Sequence, residues 1–178
     1  MKIALDVDGV LADVIISWLL YNNKFRKPLS KKDVTDWDFW KALHIDRFSF
    51  YDELSVCWKD WHSIPPTEQN LHEITEKLSG IAQVDIVTAR QEWTDPYVKD
   101  WLDFHDISYD QYVSVAAGSM KADLDYDAFI DDSPLNASRF LRNDKSILLY
   151  SQPWNMSMSH PRMNRISSLS EAVGILSP

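Results

Sequence analysis

The chain has 178 residues, enough for one well-packed core or a core with a small inserted module, and too few for two full-sized independent domains. Apolar residues at 45% and charged residues at 25% are ordinary for a soluble globular protein, while a formal net charge of -9 speaks against a nucleic-acid polymer as partner. A single cysteine, Cys57, excludes an internal disulfide and reads as a small apolar filler; five scattered histidines offer no zinc constellation.

In chain order, the apolar run Ile3 to Leu5 is followed directly by Asp6-Val7-Asp8-Gly9-Val10-Leu11-Ala12-Asp13, and residues 3–7 read as a short buried strand. Val14, Trp18, Tyr21 and Phe25 then fit one face of a helix. Beyond it, up to Pro65-Pro66, no strand pattern appears. Thr67 is expected to cap a helix with Leu71, Ile74 and Leu78 on its buried face and Gly80 at its end. A strand over residues 84–87 follows, then a helical stripe of Tyr97, Trp101 and Phe104, and a strand over residues 112–115. Phe129-Ile130 lead a strand into Asp131-Asp132, a helix follows Pro134, residues 147–150 form a fifth strand, and Leu169, Ala172, Val173 and Leu176 make a last helical face. Strands alternating with helices imply an α/β fold: a Rossmann-like, mainly parallel sheet flanked by helices, with right-handed crossovers.

Residues 14–66 break that rhythm. They hold five of the eight Trp and four of the seven Phe, and they balance eight Lys and Arg against seven Asp and Glu. With a total of -9, the rest of the chain therefore carries about -10. The expected organisation is an α/β core of residues 1–13 and 67–178 with a small helical insertion, residues 14–66, after the first strand. For any single aromatic of this insertion, filling an undersized helical core is as good a reading as lining a site.

Four polar signatures fall at or near the ends of predicted strands: Asp6-x-Asp8, Thr88, Lys121, and Asp131-Asp132. In open α/β sheets that edge is where ligands bind. Asp6 and Asp8, one residue apart on an extended chain, should face different surroundings and take different jobs. An EF-hand is the first alternative, but Gly9 comes too early and Val10 occupies a ligand position. Taken singly, a strand-end hydroxyl, a lone Lys or a pair of Asp is more often a cap, a surface charge or a turn.

The ordered set resembles the haloacid dehalogenase superfamily of phosphohydrolases over almost the whole chain. That resemblance implies a nucleophile at Asp6, a general acid and base at Asp8, a phosphate-binding hydroxyl at Thr88 and a charge-neutralising Lys121. It implies a magnesium site built from Asp6, Asp8 through its backbone carbonyl, and the Asp131-Asp132 pair, with Asp131 direct or one layer behind. Hard oxygen donors without thiolate or imidazole suit Mg2+. The insertion resembles the helical cap that covers such sites. The opening octapeptide, Phe129-Ile130-Asp131-Asp132-Ser133-Pro134, Gln152-Pro153-Trp154-Asn155 and Arg165-Ile166-Ser167-Ser168 are similar to 5'(3')-deoxyribonucleotidases and their prokaryotic relatives.

This family resemblance implies a magnesium-dependent phosphatase acting on nucleoside monophosphates, deoxy forms included, through an aspartyl-phosphate on Asp6. Aromatic walls, with Phe39 and Trp40 as first candidates, would stack the base. Ala89 and Ser119 stand where family members carry a small polar residue and an Arg, which leaves Arg90 or a Lys of the insertion as a replacement phosphate contact. Alternatives are a phosphatase of another small phosphomonoester, such as a sugar phosphate, and a silent phosphate-binding protein of the same fold. A signalling receiver domain is disfavoured, since its acidic pair precedes its Lys. The expected setting is cytoplasmic, with no signal-peptide pattern and no membrane span, a small-molecule partner, and a homodimer left open.

Overall fold

The computed structural model describes residues 1–177, apart from the side chain of Phe25, so that member of the first helical stripe lies outside the described residues. Six strands form one sheet: β1 (Lys2–Leu5), β2 (Gln83–Ala89), β3 (Gln111–Val115), β4 (Ala128–Asp131), β5 (Ser146–Tyr150) and β6 (Met163–Ile166). Their order is β3-β2-β1-β4-β5-β6, and every pairing is parallel. β1 lies centrally, with Leu5 in register with Ile86 on one side and Ile130 on the other. The strand order reverses direction at β1, so the first motif emerges at a topological switch point.

The α-helices are α1 (Val14–Phe25), α2 (Arg47–Cys57), α3 (Leu71–Ile81), α4 (Asp95–Phe104), α5 (Pro134–Arg142) and α6 (Leu169–Leu176). The central strands are buried on both faces and divide their side chains with period two. On one side Ile3, Leu5, Ile86, Ile130 and Leu148 pack with Ile74 and Leu78 of α3, Trp101 and Leu102 of α4, and Leu169 of α6. On the opposite side, Ala4, Val87, Phe129, Ile147 and Leu149 meet Ala137, Phe140 and Leu141 of α5. Asp85 is the buried charge within β2, and Lys2 (3.1 Å) and the Tyr126 hydroxyl (2.8 Å) satisfy its carboxylate.

Residues 14–66 form α1, α2 and short 3-10 segments, with a hydrophobic cluster of their own around Ile15, Trp18, Val34, Trp40 and Phe50. The segment leaves and rejoins the sheet at one place: Asp13 N–H donates to Pro65 O and Thr67 N–H to Leu11 O, both at 2.8 Å. Its last part roots in the main core, where Trp58 and Ile64 are buried and Trp101 Nε1 donates to Ile64 O at 2.9 Å.

Several local expectations change. Asn70, not Thr67, precedes α3; the Thr67 hydroxyl instead donates to Val10 O (2.5 Å), closing the first-motif loop. Gly80 does not end α3, which runs on to Ile81. The first strand stops at Leu5, because Val7 O turns back to accept the N–H groups of Val10, Leu11 and Ala12. Tyr21 and Phe104 are exposed, so the buried faces are Val14, Ile15, Trp18 and Leu19 on α1, and Val98, Trp101 and Leu102 on α4. β6 has no clear sequence pattern, since Asn164 and Arg165 mask its short apolar alternation. Among the described residues, no helix is long and apolar enough to cross a membrane.

Candidate active site

The end of β1 turns through Gly9, whose φ of +81° is a conformation that L side chains rarely adopt. A Cβ there would lie 2.3 Å from Asp132 Oδ2, so the close approach of this loop to the end of β4 requires glycine. The turn sends the two carboxylates of the motif into different surroundings; alternation along an extended chain would instead have put residues 6 and 8 on one face, so their separation comes from the turn that begins after Leu5 and not from the strand. Asp6 is buried, with Oδ1 accepting from Val7 N–H (2.7 Å) and Oδ2 paired with Lys121 (2.7 Å). Asp8 is more open and accepts from Trp58 Nε1 (3.1 Å) and Arg90 Nη2 (3.0 Å).

Lys121 stands on the 3-10 segment Gly118–Asp123 and is 2% exposed. It bridges Asp6 and Asp131, the latter at 3.0 Å. Asp131 is further held by Ser133 N–H (2.8 Å) and Asn136 Nδ2 (3.1 Å to Oδ2). Asp132 Oδ2 accepts from Trp154 Nε1 at 2.9 Å. Carboxylate oxygens of Asp6, Asp131 and Asp132 lie within 4.8 Å of one another. The Asp8 carboxylate is outside this group.

Three buried carboxylates facing one ammonium leave an excess of negative charge. Burial pushes Asp6 up to about 7 from an ordinary 3.8, with Lys121 opposing and Asp131 adding. Burial, then Asp131 and Asp6, likewise raise Asp132 well above the carboxylate range. For Lys121, burial disfavours the ammonium, but Asp131 and Asp6 outweigh it and raise the pKa above its usual value. A cluster of hard oxygen donors with surplus negative charge fits a divalent cation such as Mg2+.

A cavity of about 650 Å³ opens over these groups, lined from the sheet by Asp6, Asp8, Arg90, Lys121 and Asp132 and from the insertion by Phe39, Trp40, Phe48, Tyr51 and Trp58. Ala89, Ser119 and Trp154 also line it. Thr88 and Asp131 sit behind this lining. Thr88 is 1% exposed, and its Oγ1 accepts from Arg90 Nε (3.1 Å) and Nη2 (3.0 Å), which leaves its own hydrogen available. Arg90 packs over the Trp58 ring at 4.8 Å, and its buried Nη1 has no hydrogen-bond partner.

The family model for "5' nucleotidase, deoxy (Pyrimidine), cytosolic type C protein" matches residues 1–176. The chain belongs to this family. It is thereby a phosphoric monoester hydrolase of the nucleotidase group. A nucleotidase of Clostridium acetobutylicum is 24% identical over 180 residues, covering 99% of this chain and 93% of that one. The fold is shared with a haloacid dehalogenase superfamily hydrolase, subfamily IA, of Geobacter sulfurreducens (TM-score 0.61, 15% identity, 98% of each chain). It is shared as well with an L-2-haloacid dehalogenase of Xanthobacter autotrophicus (TM-score 0.60, 11% identity, 98% of this chain and 97% of that one).

Sequence patterns offer Phe39, Trp40 and Trp58 as cap aromatics and do not reach three contacts that shape the enzyme's site. Trp58 and Trp154 each place an indole N–H on a carboxylate of the site, and Asn136 braces Asp131. For Trp154 the available signal is its place within the Gln152–Asn155 motif; Asn136 carries none.

Proposed function

We propose that the enzyme is a magnesium-dependent phosphatase of nucleoside monophosphates, deoxy forms included, working through an aspartyl-phosphate on Asp6. The observation that carries this reading is Lys121 held between Asp6 and Asp131 beside Asp132. A carboxylate attacks a dianionic phosphate only where positive charge is fixed near the reacting centre, and Lys121 supplies part of it. Asp6, Asp132 and the Asp8 backbone carbonyl would hold Mg2+, which neutralises the remaining phosphoryl charge when bound. Asp131, engaged by Lys121, Ser133 and Asn136, acts one layer behind as the brace of Lys121.

The Asp6 carboxylate attacks phosphorus, and the bond to the leaving oxygen breaks as that oxygen takes a proton from Asp8. Water then attacks the aspartyl-phosphate and gives a proton back to Asp8, freeing inorganic phosphate and Asp6. The Thr88 hydroxyl, the Ala89 backbone, Arg90 and Lys121 bind the phosphoryl oxygens, and Arg90 takes the place left by Ser119. Residues 14–66 act as a cap on a core of residues 1–13 and 67–178, with the base stacking on the cap aromatics that line the cavity: the exposed Phe48 offers the open face, and Phe39 and the buried Trp40 form the wall behind it. The small-molecule substrate, a cytoplasmic setting and the absence of a membrane or polymer partner complete this reading.

The test is a phosphate-release screen of the purified chain over deoxyribonucleoside monophosphates, glucose 6-phosphate and phosphoserine, with Mg2+ or with EDTA. The expected result is Mg2+-dependent release with the highest kcat/KM on the nucleotides. A sugar phosphate preferred over every nucleotide would overturn the substrate assignment, and no release from any of them would leave a silent phosphate-binding protein.

A further inference from the structure

The Gln152-Pro153-Trp154-Asn155 motif takes no step in the proposed reaction, yet it grips both acidic motifs. Gln152 Nε2 donates to Gly9 O at 2.7 Å, and Asn155 Nδ2 donates to Asp132 O at 2.8 Å. Trp154 Nε1 donates to Asp132 Oδ2 at 2.9 Å. Gly9 packs against the same carboxylate, where a Cβ would come within 2.3 Å of Oδ2 and 3.2 Å of Oδ1. The carboxylate is thus held against the Gly9 turn and tied by the indole N–H at Oδ2, with one of its oxygens within 4.8 Å of carboxylate oxygens of Asp6 and Asp131.

The grip is itself anchored. Arg165 of β6 donates to Asn155 Oδ1 and to Asn155 O, both at 2.9 Å, and to Met158 O at 2.7 Å. Trp154, 8% exposed, also packs into the cluster of Ile15, Trp18, Trp40 and Phe50, so one ring touches both Asp132 and the core of the insertion. Lys31 of the insertion stands over that ring at 5.7 Å and pairs with Asp13 at 2.5 Å.

We infer that Trp154 is a positioning residue for Asp132: its indole N–H fixes the orientation in which the carboxylate is presented to the cation. This rests on the reading of Asp132 as a metal ligand. Partners that orient a ligating carboxylate from behind typically change metal affinity by about 10-fold to 100-fold when removed.

The experiment measures Mg2+ binding by calorimetry, without substrate, for the wild type and Trp154→Phe, which keeps a ring in the cluster and removes the N–H. The expected result is Mg2+ binding weakened by about 10-fold or more in the variant. The same affinity in both proteins would overturn the inference alone; no binding by the wild type would overturn the metal reading and the inference with it. Indole 15N spectra of the wild type give a second readout that does not need the variant to fold well. The Nε1–H resonance of Trp154, assigned through its contacts to Lys31 and Asp132, should shift on adding Mg2+, and an unmoved resonance counts against the inference.

Discussion

Arg90 Nη2 lies 3.0 Å from Asp8 Oδ2, joining the residue two places beyond Thr88 to the second carboxylate of the first motif. The same guanidinium contacts Thr88 and packs over Trp58, and its Nη1 is buried without a partner. A phosphoryl oxygen is the acceptor that would complete it. Arg90→Ala should therefore raise KM for every phosphomonoester by about 10-fold to 100-fold, the range for a lost hydrogen bond to a charged group. Equal KM values for wild type and variant, measured on two unrelated substrates, would remove Arg90 from the phosphate site.

Trp58→Phe keeps the ring beneath Arg90 but deletes the N–H that reaches Asp8. If Asp8 donates the proton to the leaving oxygen, its misorientation hurts an alkoxide leaving group more than a nitrophenolate, which departs unaided. The expected loss is about 10-fold on a nucleotide and under about 3-fold on p-nitrophenyl phosphate, within the usual worth of general acid catalysis. Single-turnover phosphorylation rates on the two substrates decide it.

Asp6→Asn should abolish turnover and leave the fold intact, because it removes the proposed nucleophile with almost no change in volume. It also removes one of three crowded buried carboxylates. The variant's melting temperature in EDTA at pH 8 should therefore equal or exceed that of the wild type. Retained Mg2+-dependent hydrolysis would rule out the covalent route.

The raised pKa of Asp6 has a definite sign for stability. Its value is 3.8 ordinarily and about 7 in the folded chain without metal, so between these values the folded state holds more protons than the unfolded state. The stability from this group is fully present below about 3.8 and is lost as pH rises through about 7. Because Mg2+ binding requires the carboxylate, the gain in melting temperature on adding Mg2+ should grow across the same window. A gain that is flat with pH in the wild type, or as steep in Asp6→Asn, would contradict this.

Phe48 and Trp40 both line the cavity but differ in burial: Phe48 is 87% exposed, whereas Trp40 is 4% exposed and stacks on Phe50 at 4.3 Å. Phe48→Ala should lower nucleotide-over-sugar-phosphate discrimination by about 5-fold or more, from a stacking worth of roughly 1 to 3 kcal/mol, with little change in melting temperature. Trp40→Ala should destabilise the chain by about 3 to 5 kcal/mol, as expected for emptying a core position. Competition kinetics and thermal melts on the two variants separate these outcomes.

The local chemistry of the chain is written in short sequence signals. Apolar runs ending in Asp6, Thr88 and Asp131 place three parallel strands and their polar ends, because a strand buried on both faces needs a nearly continuous apolar stretch. Pro134 marks the start of α5, since proline suits a first helical turn. Where such signals are weak or shared, they mislead. Thr67 has the chemistry of a cap, yet its hydroxyl finds carbonyls of the first-motif loop 56 and 57 residues away. Arg165 makes β6 look polar because its contacts, Asn155 and Met158, lie outside the strand.

What the sequence by itself determined, then, is the set of candidate site residues and the sheet that carries them: residue type and period act over a few neighbours and are visible in one dimension. What only the tertiary structure decided is who holds those groups. Which indole faces Asp8 and which faces Asp132, and that Asp131 is occupied with Lys121, depend on contacts between residues 10 to 50 places apart. That Phe48 rather than Trp40 is the exposed ring depends on how the insertion packs upon itself. Such contacts are fixed by packing and hydrogen-bond geometry across elements, where eight chemically equivalent tryptophans carry no label until the chain is folded.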